Sequence, residues 1–345
     1  MGKVTVYDLV KAAEIALEGA GVPDAKNDAA ELFCHLMNID KTRFFMEWAA
    51  EASEETCEAY ARLVDRRRNH EPLQLITRQQ AFLDLVILCR QGVLIPRQDS
   101  EAVALAAEEL LDAMDGKEVL DLCCGSGVLG LSLAARAGAR VTFSDISAMA
   151  VELTKDNLKH LGLRAEGVYQ GDLFEPVKEK KFQLIVCNPP YIATCVIPTL
   201  MPEVRKHEPM SALNGGADGL DYYRRIVEEA PAYLTQKGAL VLEIGHDQAG
   251  AVTAMMQADA GWYDITIMKD LAQNPRVVTA CYDHKKSERL AKEKERIAKE
   301  TAKAEARKEK WHGRHAGWEA WQAKWNARRA AKTEKKVQER DEEDK

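Results

Sequence analysis

Apolar residues recur at helical spacing through residues 5–69 and then change period. Val6, Leu9, Val10 and Ala13 mark one amphipathic face, and Pro23-Asp24 opens a second segment carrying Ala29, Ala30, Leu32, Phe33 and Leu36. A third segment covers Phe44 to Trp48, and a fourth runs from Ser53, a predicted N-cap, to Arg68. This pattern predicts a small all-helical domain over residues 1–70. Between Leu73 and Leu94 the short runs LQLI, AFL and LVILC predict a β-hairpin linker, 71–97.

From Gln98 onward helix and strand periods alternate. A helix at 99–113 precedes strands at 117–122 and 140–145, with helix 127–137 between them. Helix 147–161, strands 166–170 and 183–188, helix 219–235 and strand 238–245 follow. After helix 247–258, strands 263–268 and 276–282 are expected to pair antiparallel across a short loop. Repeated β-α units with apolar strands predict an α/β, Rossmann-like sheet with an antiparallel last strand over 98–284, covered by helices on both faces. In the tail, 285–345, Leu290, Ile297, Ala304, Trp311, Trp318 and Trp325 recur every seven residues, with Trp321 beside them. The neighbouring heptad core positions are charged, so the seam is too thin for a coiled coil. A charged, Trp-bearing tail, helical or disordered, is expected. It is read as a solvated helix or as a docking face, which Gly313 and Gly317 weaken.

Charge divides along the same boundary. Residues 285–345 carry 20 Lys and Arg against 13 Asp and Glu, whereas residues 1–284 carry 28 against 42. An acidic body argues against gripping a phosphate backbone over a wide face; any nucleic-acid affinity is expected only of the tail. No stretch approaches the roughly 18 uncharged apolar residues of a membrane span, and the N-terminus lacks a signal-peptide core. Eight scattered cysteines form no CxxC pair and no metal-ligand pattern, so free thiols, no metal and a cytoplasmic location are expected.

The segment VLDLCCGSGVLG places Asp121 near a strand end, followed by Gly125, Gly127 and Gly130. A GxGxxG turn lets a ligand approach the backbone, but dinucleotide sites share it. A carboxylate at Asp121 would repel a pyrophosphate, and it suits a ligand bearing a sulfonium and an ammonium, as S-adenosylmethionine does. Asp145, 24 residues later, suits a bidentate acceptor for ribose hydroxyls. Asp172 in GDLF is placed to accept from an adenine amino group, with Leu173 against the ring.

After strand QLIVC comes Asn188-Pro189-Pro190-Tyr191. Two prolines fix the backbone and remove N–H donors, leaving only acceptors. The Asn188 side-chain oxygen and the Pro189 carbonyl can take both hydrogens of a substrate NH2 group and aim its nitrogen at a methyl carbon. Tyr191 offers a flat face for a planar amide or base. No strong general base is required if the proton leaves after transfer.

These motifs sit among longer segments: RRRNHEPLQLIT (66–77), LIPRQDSE (94–101), EVRKHEPMSALNGGADGLDYYRRI (203–226), LEIGHDQ (242–248) and KDLAQNPRVV (269–278). Together they resemble the bacterial peptide chain release factor N5-glutamine methyltransferases over about residues 5–283. The resemblance implies a class I methyltransferase sheet and a helical front domain that recognises class I release factors. It also implies methylation of the glutamine amide in their GGQ loop; a monomer is expected. On that basis Asn188, Pro189, Pro190 and Tyr191 form the catalytic set. Asp121, Cys123, Gly125, Gly127, Asp145, Ile146, Asp172, Leu173 and Asn188 hold the cofactor, with Phe82 and Arg97 covering it from the linker. Gln98 replaces a family proline, Arg78 a glycine, Leu83-Asp84 an aromatic-Gly pair, and Cys123 the first glycine of the cofactor turn.

Other readings share the tetrapeptide. A glutamine methyltransferase for a ribosomal protein would look alike. An adenine-N6 nucleic-acid methyltransferase also presents a planar NH2, but it needs a basic groove that the acidic body lacks. A catalytically idle binding module is disfavoured by the intact acids and NPPY.

Overall fold

The computed structural model describes residues 4–312; Gly313, Gly317, Trp318, Trp321 and Trp325 lie outside them, as does the side chain of Trp311. The chain divides into two compact units, Met1–Ser287 and Glu288–Lys345. The first opens with helices α1 (Val6–Gly19), α2 (Ala25–Met37), α3 (Lys41–Met46) and α4 (Glu54–Arg68). Three of these four starts have a side-chain cap. Thr5 and Asp8 form a capping box, and the side chains of Asp40 and Ser53 accept from Arg43 and Thr56 N–H groups. Their apolar faces close on Leu17, Leu32, Phe33, Phe44 and Tyr60, and the buried Tyr60 hydroxyl donates to the Ala29 carbonyl at 2.7 Å.

The linker departs from expectation at its start. Leu73–Thr77 is helix α5, not a strand; only β1 (Gln79–Phe82) and β2 (Leu85–Leu88) form the antiparallel hairpin. Pro72 occupies the N-cap, the Thr77 hydroxyl bonds back to the Leu73 carbonyl at 3.0 Å, and Arg78 ends the turn at φ 63°. A left-handed Arg78 stands where the family pattern has glycine, the residue for which that conformation costs least.

The remaining elements are α6 (Glu101–Asp112), β3 (Glu118–Leu122), α7 (Val128–Ala137), β4 (Arg140–Asp145), α8 (Ala148–Leu161), β5 (Gly167–Gln170) and β6 (Phe182–Cys187). Then follow α9 (Pro202–His207), α10 (Met210–Leu213), α11 (Asp221–Glu229), β7 (Leu234–Glu243), α12 (Ala249–Gln257), β8 (Trp262–Lys269), β9 (Pro275–Tyr282) and α13 (His284–His312). The helix expected to reach residue 235 stops earlier. Lys237 at φ 63° and a register shift against β6 let β7 begin before Gly238.

The sheet order is β5-β4-β3-β6-β7-β9-β8, parallel through β7, with β9 antiparallel to both neighbours. Alternation along the strands splits the core. Leu120, Leu122, Leu240 and Leu242 face α11 and α12, whereas Val119, Val141, Leu184 and Val241 face α6 and α7. At the end of the first unit, the Ser287 hydroxyl bonds Asp259 and Tyr282.

A buried ion cluster joins the front helices to the segment after β6. Arg67, 5% exposed, donates to Asp28 at 2.7 Å and to Glu203 at 3.2 Å, and Glu203 also meets His70 at 3.1 Å. Burial raises the Asp28 carboxyl above its ordinary value, with Arg67 opposing. Arg67→Met should leave two carboxylates buried without their cation and cost about 3 kcal/mol in urea unfolding. A loss below about 1 kcal/mol, the scale of an exposed pair, would mean the cluster is solvated.

Candidate active site

Four neighbouring strands end along one edge, and each delivers a polar group there. Asp121 is the penultimate residue of β3, Asp145 closes β4, Asn188 follows β6 and Glu243 closes β7. Ligands of open α/β sheets bind at this carboxyl edge, where the order reverses beside the first strand. Here β3 is that strand, with β4 on one side and β6 on the other. A cleft of about 970 Å³, its open mouth included, lies at this point. Its wall includes Asp121, Cys123, Gly125, Asp145, Ile146, Asp172, Leu173, Asn188 and Arg97, together with Pro190 and Ser100.

The turn after β3 is held from both sides. The Gly125 N–H donates to Asp145 Oδ2 at 2.8 Å, and the Ser147 N–H donates to Oδ1 at 2.8 Å. Asp121, 1% exposed, accepts the Gly130 N–H at 2.8 Å. Burial pushes both carboxyls above the ordinary range, and the charge of Asp145 raises Asp121 further. Gly127 does not line the cleft. It caps α7 at φ 81°, where a Cβ would come within 2.9 Å of Thr154. Cys123 adopts φ 56°, so the thiol reaches the wall at the cost of a left-handed backbone.

Other expected residues are placed differently. Phe82 is 1% exposed and belongs to the core cluster that also holds Ile87, Val103 and Leu129; it is not itself part of the cleft wall. Pro189 is buried and Tyr191 half-buried, and neither lines the cleft. Asp172 faces a cation, Arg225, whose two nitrogens reach its oxygens at 3.1 and 2.8 Å. Arg97 lines the mouth and forks onto Glu208 at 3.0 Å to each oxygen. Among the described residues, no group of three or more His, Cys, Asp and Glu could hold a metal, and no helix is long and apolar enough to cross a membrane. All eight cysteines are free thiols.

Sequence reasoning missed Ser100 and Glu243. Glu243 is 1% exposed; the Ser100 hydroxyl donates to its Oε2 at 2.6 Å, and the Tyr191 hydroxyl lies 3.5 Å from its Oε1. The Asn188 Nδ2 stands 3.5 Å from the Ser100 oxygen. The only trace in the sequence is an acid ending an otherwise apolar strand, LVLE.

Burial pushes the Glu243 carboxyl from 4.5 up to about 7, with Ser100 and Arg276 opposing. The folded protein therefore holds a proton that the unfolded chain releases between those values, and this contribution to stability is lost as pH rises through about 7. The Tm difference between Glu243→Gln and wild type should move in the variant's favour as pH rises through that window. A difference independent of pH would place the titration of Glu243 elsewhere.

A family model described as Methyltransferase small domain matches residues 88–200, and one described as PrmC N-terminal domain matches residues 8–77. The chain is 38% identical over 256 residues to the release factor glutamine methyltransferase of Thermodesulfovibrio yellowstonii, covering 73% of this chain and 90% of that protein. It is 38% identical over 259 residues to the release factor glutamine methyltransferase of Geobacter sulfurreducens, covering 75% and 90%. Among solved structures it is similar to the release factor-specific protein-(glutamine-N5) methyltransferase of Alicyclobacillus acidocaldarius. That likeness is 25% identical, covers 55% of this chain and 94% of the other, and has a TM-score of 0.35.

Proposed function

The chain belongs to the release factor glutamine methyltransferase family, and on that premise we propose its reaction and the residues that carry it. The protein transfers a methyl group from S-adenosylmethionine to the side-chain amide nitrogen, N5, of the glutamine in the GGQ motif of class I release factors. The observation that carries this reading is Asn188 beside Pro190 in the wall of a cleft that also holds the buried Asp121 and the half-buried Asp145. Burial raises the proton affinity of both Asp121 and Asp145, and the charge of Asp145 raises that of Asp121 further, so a ligand with positive charge relieves both. S-adenosylmethionine carries a sulfonium and an ammonium, and when bound it supplies an electrophilic methyl group.

The protein's own residues then have separate tasks. Asp145 is held by two backbone N–H groups with lone pairs left for ribose hydroxyls, while Cys123, Gly125, Ile146 and Leu173 shape the surrounding wall. Asp172, shared with Arg225, serves the adenine end, and Arg97 borders the mouth. Asn188 accepts from the substrate NH2 and orients its nitrogen, which gains the methyl group and gives up one proton. The helices of residues 1–70 recognise the release factor.

Labelled S-adenosylmethionine, incubated with purified release factor, should mark the wild-type factor and not one whose GGQ glutamine is replaced. Label on the altered factor, or on nucleic acid alone, would reject the assignment. Asn188→Ala should lower turnover by about 100-fold or more while cofactor affinity is kept; undiminished turnover would remove the role given to Asn188. Removing residues 288–345 should leave methylation of the isolated factor within about twofold, since every residue given a role above precedes Glu288 in the chain. A collapse of activity would make that segment part of the enzyme.

A further inference from the structure

Asn188 is useful as an acceptor only in one of its two amide orientations. The nitrogen and oxygen ends of the side chain are nearly alike in shape, so packing alone does not choose between them. Hydrogen-bond direction does. An ionised carboxylate offers only lone pairs, so Ser100 must donate its single proton to Glu243 across their 2.6 Å contact. Having spent that proton, the Ser100 oxygen offers only lone pairs to Asn188. The group 3.5 Å away must therefore be the amide NH2, and the amide oxygen is turned away from Ser100.

We propose that Glu243 is a positioning residue for methyl transfer: acting through Ser100, it fixes Asn188 with its side-chain oxygen as the acceptor for the substrate NH2. The inference rests on the reading of Asn188 given above and adds what sets its orientation. Glu243 is well built for this task. It closes β7 in the core of the sheet; Tyr223 of α11 donates to its main-chain carbonyl at 2.8 Å, and Tyr191 reaches its second carboxylate oxygen. The charged groups around it are Arg97 and Asp99 from the turn before α6 and Arg276 from β9. The two arginines favour the ionised form, and Asp99 and burial oppose it. A protonated Glu243 becomes a donor toward Ser100. The serine proton is then free to point at Asn188, which admits the flipped amide with its oxygen turned inward. Substrate capture is thereby linked to ionisation of a carboxyl near pH 7.

The test reads Asn188 directly and then through turnover. In ligand-free protein with nitrogen-labelled asparagine, the Asn188 NH2 signal is identified by its loss in Asn188→Ala. It should titrate with a midpoint near 7 in wild type and not in Glu243→Gln. In kinetics, Glu243→Gln and Ser100→Ala should each lower kcat/KM by about 10- to 100-fold and remove the fall of kcat/KM on the acid side of about pH 7. Added to Asn188→Ala, Glu243→Gln should cost less than about twofold more, because its route to the substrate is already gone. The proposal is overturned by an Asn188 signal that ignores pH, or by a Glu243→Gln loss that persists undiminished in the Asn188→Ala background. Either result leaves the role of Asn188 standing, whereas full turnover in Asn188→Ala alone removes that role and this inference together. Should Glu243→Gln fail to fold, Ser100→Ala carries the same comparisons with the carboxyl in place.

Discussion

The low-dielectric edge of the parallel sheet is the constraint on which the site depends. Strands β3, β4, β6 and β7 run parallel, and Leu122 pairs with Ser144 and Cys187, and Cys187 with Leu242, so their carboxyl ends fall along one line. The order turns back at β3, and the connections leave that line on opposite sides. This leaves room for a cleft whose polar groups come from separate strand ends. Their backbones are fixed by ladder hydrogen bonds and by the apolar layers above and below. Such groups need little further ordering when a substrate arrives, which is the main advantage of building a site on strands instead of loops.

The same edge concentrates negative charge. Asp121 and Glu243 are buried and Asp145 is half-buried, and withdrawal from water raises the proton affinity of all three. Their solutions differ. Asp145 is held by two backbone N–H groups and Asp121 by one, which leaves both short of positive charge. Glu243 has Ser100 and the nearby Arg276. The first two are therefore the ones a cationic ligand stabilises, and the third has its partners already within the protein. Buried acids without cations mark a place for a ligand; a buried acid with partners marks a support.

What could be read from the sequence follows this division. Asp121, Asp145 and Asn188 stand next to signals that carry their own geometry, a glycine turn or a proline pair, and strand periodicity locates all three. The sheet was legible for the same reason, including the pairing of β8 with β9. Glu243 was not, because its importance depends on Ser100, 143 residues earlier, and no local pattern reports a contact of that span. Phe82 lies in the core and not in the cleft wall, a distinction that a hairpin's alternation does not make because it does not say which face meets the core. Leu73–Thr77 was misread because four consecutive apolar or neutral residues fit a buried strand as well as one helical turn; Pro72 before it and Arg78 after it decided for helix.

The short α9 joins these parts into one mechanical unit. Glu203 on its first turn is held by Arg67 and His70 of the front helices and their exit, and Glu208, the residue after it, is held by Arg97 of the linker. Pro209, Ser211 and Ala212, which follow directly, form part of the cleft wall. A shift of the front helices must therefore stretch a buried ion pair or carry α9 along, and α9 cannot move without moving that wall. Arg67 and Glu203 are both largely withdrawn from water, with side-chain exposures of 6% and 13%, so that pair is not easily exchanged for solvent, whereas Glu208 is buried beneath an Arg97 that is 42% exposed. The same short helix thus ties the front helices and the linker to the cleft wall through these two ion pairs.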